Sequence, residues 1–102
     1  EQPRPEIDFV AKLIEQSSVE GYAGCCHAIS KINCTKRLNE IRVPTKIIVG
    51  DADVSTPVSM SAEIQSAIPN SSLTVIAGAS HLSNLEQPQQ FNEAMLGFLE
   101  HL

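Results

Sequence analysis

The apolar pattern of this chain predicts an α/β fold in which two parallel strands are joined by a crossover helix. Ile47 to Val49 and Leu73 to Ile76 are short, rich in β-branched residues and bounded by Pro or Gly, the pattern of buried strands. Between them, from Val58 to Ile68, the residues Met60, Ile64, Ala67 and Ile68 fall on one helical face. Each strand runs into a Gly-containing turn with an ionisable side chain, Gly50-Asp51-Ala52-Asp53 after the first and Gly78-Ala79-Ser80-His81 after the second. In open α/β sheets reactive groups gather beyond the carboxyl ends of the strands. A parallel pairing therefore brings Asp53 and His81 to one rim, where a carboxylate can orient an imidazole.

Upstream of the strands the period is helical. Ile7, Val10, Ala11 and Ile14 recur at helical spacing, with Glu6 and Asp8 in the first turn, where the helix dipole favours acids. Ser17-Ser18 breaks the pattern, and Tyr22, Cys25, Cys26 and Ile29 repeat it, giving a second helix over about Glu20 to Lys31. A short helical turn follows, with Thr35 as a cap and Leu38 and Ile41 facing inward. Pro44 ends the helical part and opens the first strand. After Asp53, Ser55 and Thr56 read as capping residues and Pro57 as the first helical position. Pro69-Asn70-Ser71-Ser72 reads as a turn. Pro88 starts the last helix, with Phe91, Ala94, Met95, Phe98, Leu99 and Leu102 in one apolar stripe.

Composition narrows the partners. A chain of 102 residues with 42% apolar content is one domain's worth, or a piece of a larger one. A formal charge of −5, no basic cluster beyond Lys36, Arg37 and Arg42, and 4% aromatics argue against nucleic acid. No apolar run approaches the ~18 residues of a membrane span. The opening Glu1 to Glu6 has neither a basic leader nor an apolar signal core, so a cytoplasmic protein is expected. Cys25, Cys26 and Cys34 form no C-x-x-C pair; with His27 they are a poor metal set, and Cys25 and Cys26 read as small buried hydrophobes.

Two strands cannot cover the apolar faces of so many helices, and a two-stranded sheet is marginal alone. Parallel strands normally sit inside larger sheets covered on both faces. The chain therefore reads as the end of something larger. As an isolated piece it is expected to self-associate into a homo-oligomer, two copies pairing their Thr45 to Val49 strands and covering exposed apolar faces.

The same residues carry a family resemblance. Val43-Pro44, then Ile47-Ile48-Val49-Gly50-Asp51-Ala52-Asp53 and Thr56-Pro57, resemble the acid-bearing segment of the α/β-hydrolase fold. Gly78-Ala79-Ser80-His81-Leu82-Ser83-Asn84-Leu85-Glu86-Gln87-Pro88 resembles that family's histidine loop and the start of its last helix. Together with Val19-Glu20-Gly21-Tyr22, this wording is most similar to 3-oxoadipate enol-lactonases. The resemblance implies lid-type helices and a connector over residues 1–42, and the C-terminal β-α-β-α segment of the hydrolase sheet over residues 43–102. It implies Asp53 and His81 as triad acid and histidine, a small-molecule ester or lactone substrate, and neither metal nor cofactor.

The family's nucleophile sits in a G-x-S-x-G elbow and precedes the acid and the histidine in the chain. Glycines stand at Gly21, Gly24, Gly50, Gly78 and Gly97, and no two are four apart, so that elbow is not in this sequence. The chain resembles a C-terminal portion with two of three triad members, inactive by itself. Taken singly, Asp53 could be a turn residue ahead of a helix and His81 a loop histidine satisfied by backbone. As a pair following consecutive strands they favour catalysis. Asp51 reads as a turn residue beside the acid, Ser80 lacks a paired base, and His27 and His101 read as solvent-facing. Dehalogenase, perhydrolase and C–C hydrolase chemistry use similar segments of this fold, and a non-catalytic binding or dimerisation module is the alternative from another class.

Overall fold

The computed structural model describes residues 4–102; the start of the opening Glu1 to Glu6 stretch lies outside the described residues. The chain divides between Asn33 and Cys34 into two compact units. The first holds α1 (Pro5–Glu15) and α2 (Val19–Ile29). Pro5 begins α1 at a position whose N–H has no helical partner in any case, and Glu6 and Asp8 lie at its positive end. At the junction of the helices, the Ser17 hydroxyl donates to the Leu13 carbonyl at 2.9 Å. Ser18 caps α2 by accepting the Gly21 N–H at 3.1 Å.

The second unit carries a 3₁₀ helix (Thr35–Glu40), β1 (Thr45–Gly50), α3 (Val58–Ala67), β2 (Ser71–Ile76), the single turn α4 (Ser83–Glu86) and α5 (Pro88–Leu99). It begins before the change of period at Val43 because the 3₁₀ helix packs on α3. β1 and β2 form a parallel two-stranded sheet in a continuous register, from Thr45 opposite Ser71 to Gly50 opposite Ile76. α3 makes the crossover and packs on both strands, and α5 also touches both. Among the described residues the buried apolar ones are Val49, Ile68, Ile76 and Ala79. Val49, Ile76 and Ala79 lie at the strand ends or in the loop after β2, beneath the two loops that follow the strands, and Ile68 closes the opposite end of the sheet where α3 leads into β2.

Several expectations need correction. Ser71 and Ser72, read as turn, open β2. The Ser71 hydroxyl bonds the Gln65 and Ile68 carbonyls at 3.0 and 2.8 Å, satisfying the end of α3 from within the strand. The second helix ends at Ile29, where Ser30 bonds the His27 carbonyl at 2.7 Å, and not at Lys31. Cys25 and Cys26, read as buried, are exposed, as is Cys34. No residue of α1 or α2 is buried, and Ile7, Ile14 and Ile29 of their apolar stripes lie open. The stripe of α5 is half-buried at Phe91, Ala94 and Phe98 but open at Leu99 and Leu102. Helical amphipathicity marks a face that needs cover; it does not say which polypeptide provides it.

So small a core makes each member count. Ile76 is the largest fully buried side chain. Replacing it with Ala is expected to lower the unfolding free energy by about 2–5 kcal/mol in a urea titration, as loss of a buried branched side chain usually does. Val54→Ala, at a side chain 92% exposed, is expected to change it by less than about 0.5 kcal/mol.

Candidate active site

The two loops that follow the strands are joined by backbone. The Asp51 N–H extends the ladder to the Ile76 carbonyl at 3.0 Å, and the Ala52 N–H reaches the Ala79 carbonyl at 2.9 Å. Gly50 permits the approach, since a Cβ there would overlap the carbonyl oxygens of Ala79 and Ser80. Gly78 turns the second loop with φ of +72°, a left-handed conformation that glycine adopts without strain. Asp51, on the first loop, accepts the Gly78 N–H at 3.0 Å, so this turn residue ties one loop to the other.

The histidine loop is held from its far side as well. Glu86 on α4 accepts the Ser80 N–H and the Ser80 hydroxyl, each at 2.9 Å. Gln87 and Gln90 donate to the Gly78 and Ala77 carbonyls, both at 3.2 Å. Ser80, read as lacking a base partner, has its hydroxyl engaged by this carboxylate. Sequence reasoning missed the Glu86 contact; the available signal was a Glu six residues after a loop Ser, on the helical turn that follows the loop.

Between these anchors Asp53 and His81 meet. His81 Nδ1 lies 2.9 Å from Asp53 Oδ2 across 28 residues of chain. The Asp53 side chain is 4% exposed and the His81 ring 60% exposed, so a buried acid orients a base that faces outward. The other Asp53 oxygen, Oδ1, accepts the Ser55 and Thr56 N–H groups at 3.0 and 2.9 Å. Thr56 Oγ1 donates to Oδ2 at 3.0 Å and lies 3.3 Å from His81 Nδ1. The expected side-chain cap by Thr56 is therefore not made. Pro57 takes the cap position of α3, which has no side-chain cap, and the Thr56 hydroxyl belongs to the Asp53–His81 cluster. The spacing Asp-x-x-Thr was the available signal, because an Asp that accepts N–H groups two and three residues on draws the third side chain to itself.

Hydrogen bonds set the charge of Asp53. The Thr56 N–H bond, with the His81 and Thr56 side-chain bonds behind it, holds the carboxyl down to about 2 against the opposing effect of burial. Among the described residues His81 Nε2 has no hydrogen-bond partner, which leaves that nitrogen available to a reactant. Of the remaining histidines, His27 is exposed on α2, and His101 Nδ1 donates to the Gly97 carbonyl at 2.7 Å. Among the described residues no group of three or more His, Cys, Asp or Glu is placed to hold a metal ion. None of their helices is long and apolar enough to cross a membrane.

The depressed carboxyl makes stability depend on pH with a definite sign. An unfolded Asp titrates near ~3.9, so the contribution of Asp53 is whole above about pH 4 and is lost as pH falls through the folded value of about 2. Thermal melts from pH 6 to pH 2 are expected to show a decline beginning near pH 4, with a shallower slope in Asp53→Asn. Equal slopes in the two proteins would contradict this origin.

No protein-family model matches the chain. The chain is 42% identical over 94 residues to 3-oxoadipate enol-lactonase 2 of Acinetobacter baylyi, a match covering 89% of this chain and 34% of that protein. A hydrolase from Pseudomonas aeruginosa superposes with a TM-score of 0.89 at 31% identity, over 96% of this chain and 37% of the other. The bromoperoxidase of Bacillus anthracis superposes with a TM-score of 0.78 at 37% identity, over 84% of this chain and 32% of its own. The chain thus spans about a third of the length of the curated relatives it matches. A parallel strand pair with its crossover and flanking helices, matched over nearly the whole chain, is the C-terminal portion of an α/β-hydrolase fold, here similar in sequence to 3-oxoadipate enol-lactonases.

Proposed function

We propose that this chain supplies the acid and the base, Asp53 and His81, of a hydrolase that opens a small ester or enol-lactone. The observation that carries this reading is the 2.9 Å bond from His81 Nδ1 to a buried carboxylate, with the rest of the ring outward. In that arrangement His81 Nε2 takes the proton of a nucleophile and later returns one to the leaving group. Asp53 holds the ring and stabilises the imidazolium while the charge exists. The sequence has no G-x-S-x-G, so in this reading the nucleophile and the oxyanion-hole donors come from polypeptide outside these 102 residues. The chemistry then runs through an acyl-enzyme and uses no metal or cofactor.

The resemblance to an enol-lactonase favours a lactone over the dehalogenase and C–C hydrolase alternatives. In this reading residues 1–42 are lid-type helices and a connector and residues 43–102 the C-terminal β-α-β-α segment of the hydrolase fold, in a protein we place in the cytoplasm. In the full-length protein, His81→Ala and Asp53→Asn are each expected to lower kcat on an activated ester or enol-lactone by about 10²–10⁴-fold. KM should change much less. Unchanged turnover in either variant would overturn the assignment, and an Asp in place of Ser at the upstream elbow would redirect it to dehalogenation.

A second reading, association with another copy, is favoured by the open apolar stripes of α1 and α2 and by a sheet of only two strands. A strand edge without a neighbour is a template for pairing. Light scattering of the isolated 102-residue chain is expected to give a dimer or a larger assembly. An 11.0 kDa species at micromolar concentration that unfolds cooperatively would exclude it.

A further inference from the structure

Thr56 supplies the third atom of a cluster that the catalytic pair alone does not require. Its Oγ1 lies 3.0 Å from Asp53 Oδ2 and 3.3 Å from His81 Nδ1, while those two atoms are themselves 2.9 Å apart. Each side of this triangle is short enough for a hydrogen bond, but only certain placements of the protons satisfy all of it. The carboxylate can only accept. The hydroxyl has one proton to give, and the ring nitrogen either carries a proton or presents a lone pair.

With the imidazole proton on Nδ1, the triangle closes. Nδ1–H donates to Oδ2, the hydroxyl proton also goes to Oδ2, and the hydroxyl lone pair faces Nδ1–H as a longer second acceptor. With the proton on Nε2 instead, an unprotonated Nδ1 faces Oδ2 with no proton between them. The hydroxyl then cannot serve both atoms, and giving its proton to Nδ1 takes it from the carboxylate.

We propose that Thr56 is a positioning residue that selects the tautomer of His81 with the proton on Nδ1 and so reserves Nε2 for the reacting proton. The role rests on the acid–base reading of Asp53 and His81. Thr56 touches no reactant in this scheme and acts through those two side chains. Its own backbone helps place it, because the Thr56 N–H bond to Asp53 Oδ1 at 2.9 Å ties the residue to the acid whose other oxygen its hydroxyl meets. A methyl in the place of the hydroxyl would keep the volume and lose the donor and the acceptor together.

The test is the tautomer itself, read from the ring ¹⁵N shifts of His81 at a pH where the ring is neutral. Thr56→Val, Thr56→Ser and Asp53→Asn are compared with the parent protein, and His81→Gln identifies the signals. Thr56→Ser is expected to keep the parent shifts. Thr56→Val is expected to move the ring shifts toward those of the Nε2–H form, because a hydroxyl held on Oδ2 turns only lone pairs toward Nδ1 and so favours a proton there. If Thr56→Val does not fold, Thr56→Ala is read against Thr56→Ser in the same way. Parent-like shifts in the Val or Ala variant would overturn the proposal, whatever the activity. If the shifts move as expected while Asp53→Asn in the full-length protein still turns over normally, the tautomer role stands and the catalytic reading fails.

Discussion

The approach of two backbones at Gly50 governs everything downstream of the strands. β1 and β2 end opposite each other, and the loops that leave them would diverge if β1 ended in any residue with a side chain. Without a Cβ at Gly50, the Ala79 and Ser80 carbonyls come close enough for the Ala52 N–H to bond Ala79. Asp51 then reaches Gly78, and the two loops behave as one support. Asp53 and His81 each sit two residues beyond one of these bonds. Their 2.9 Å contact follows from where the backbones are fixed more than from attraction between the side chains.

Burial of Asp53 is possible because its charge is distributed over donors that the loop supplies at no extra conformational cost. Ser55, Thr56 and His81 together satisfy both oxygens, and the local N–H groups are already ordered by the turn that leads into α3. A buried carboxylate without such partners would shift toward its neutral form. A neutral acid could not stabilise an imidazolium. The turn chemistry and the electrostatics of the site are therefore one arrangement, and α3 gives up its side-chain cap for it.

The strands, the crossover helix and the rim shared by Asp53 and His81 were legible because each leaves a local mark: a change of period at Val43, Gly-containing turns, an ionisable side chain after each strand. What the sequence left hidden is set by partners rather than by period. Thr56 has the composition of a cap and the position of a cap, and only the competing Asp53 carboxylate decides where its hydroxyl goes. Glu86 looks like one more helix acid until Ser80 is seen beside it. The burial of Cys25 and Cys26 failed for a related reason. An apolar stripe records that cover exists somewhere, and within the described residues no part of α2 is buried.

The span of the contacts has a last consequence. The strands pair residues a short crossover apart, and every hydrogen bond described around Asp53 and His81 starts and ends between Gly50 and Gln90. The bonds around Asp53 and His81 are therefore local: a cut anywhere before Cys34 removes none of the residues that make them.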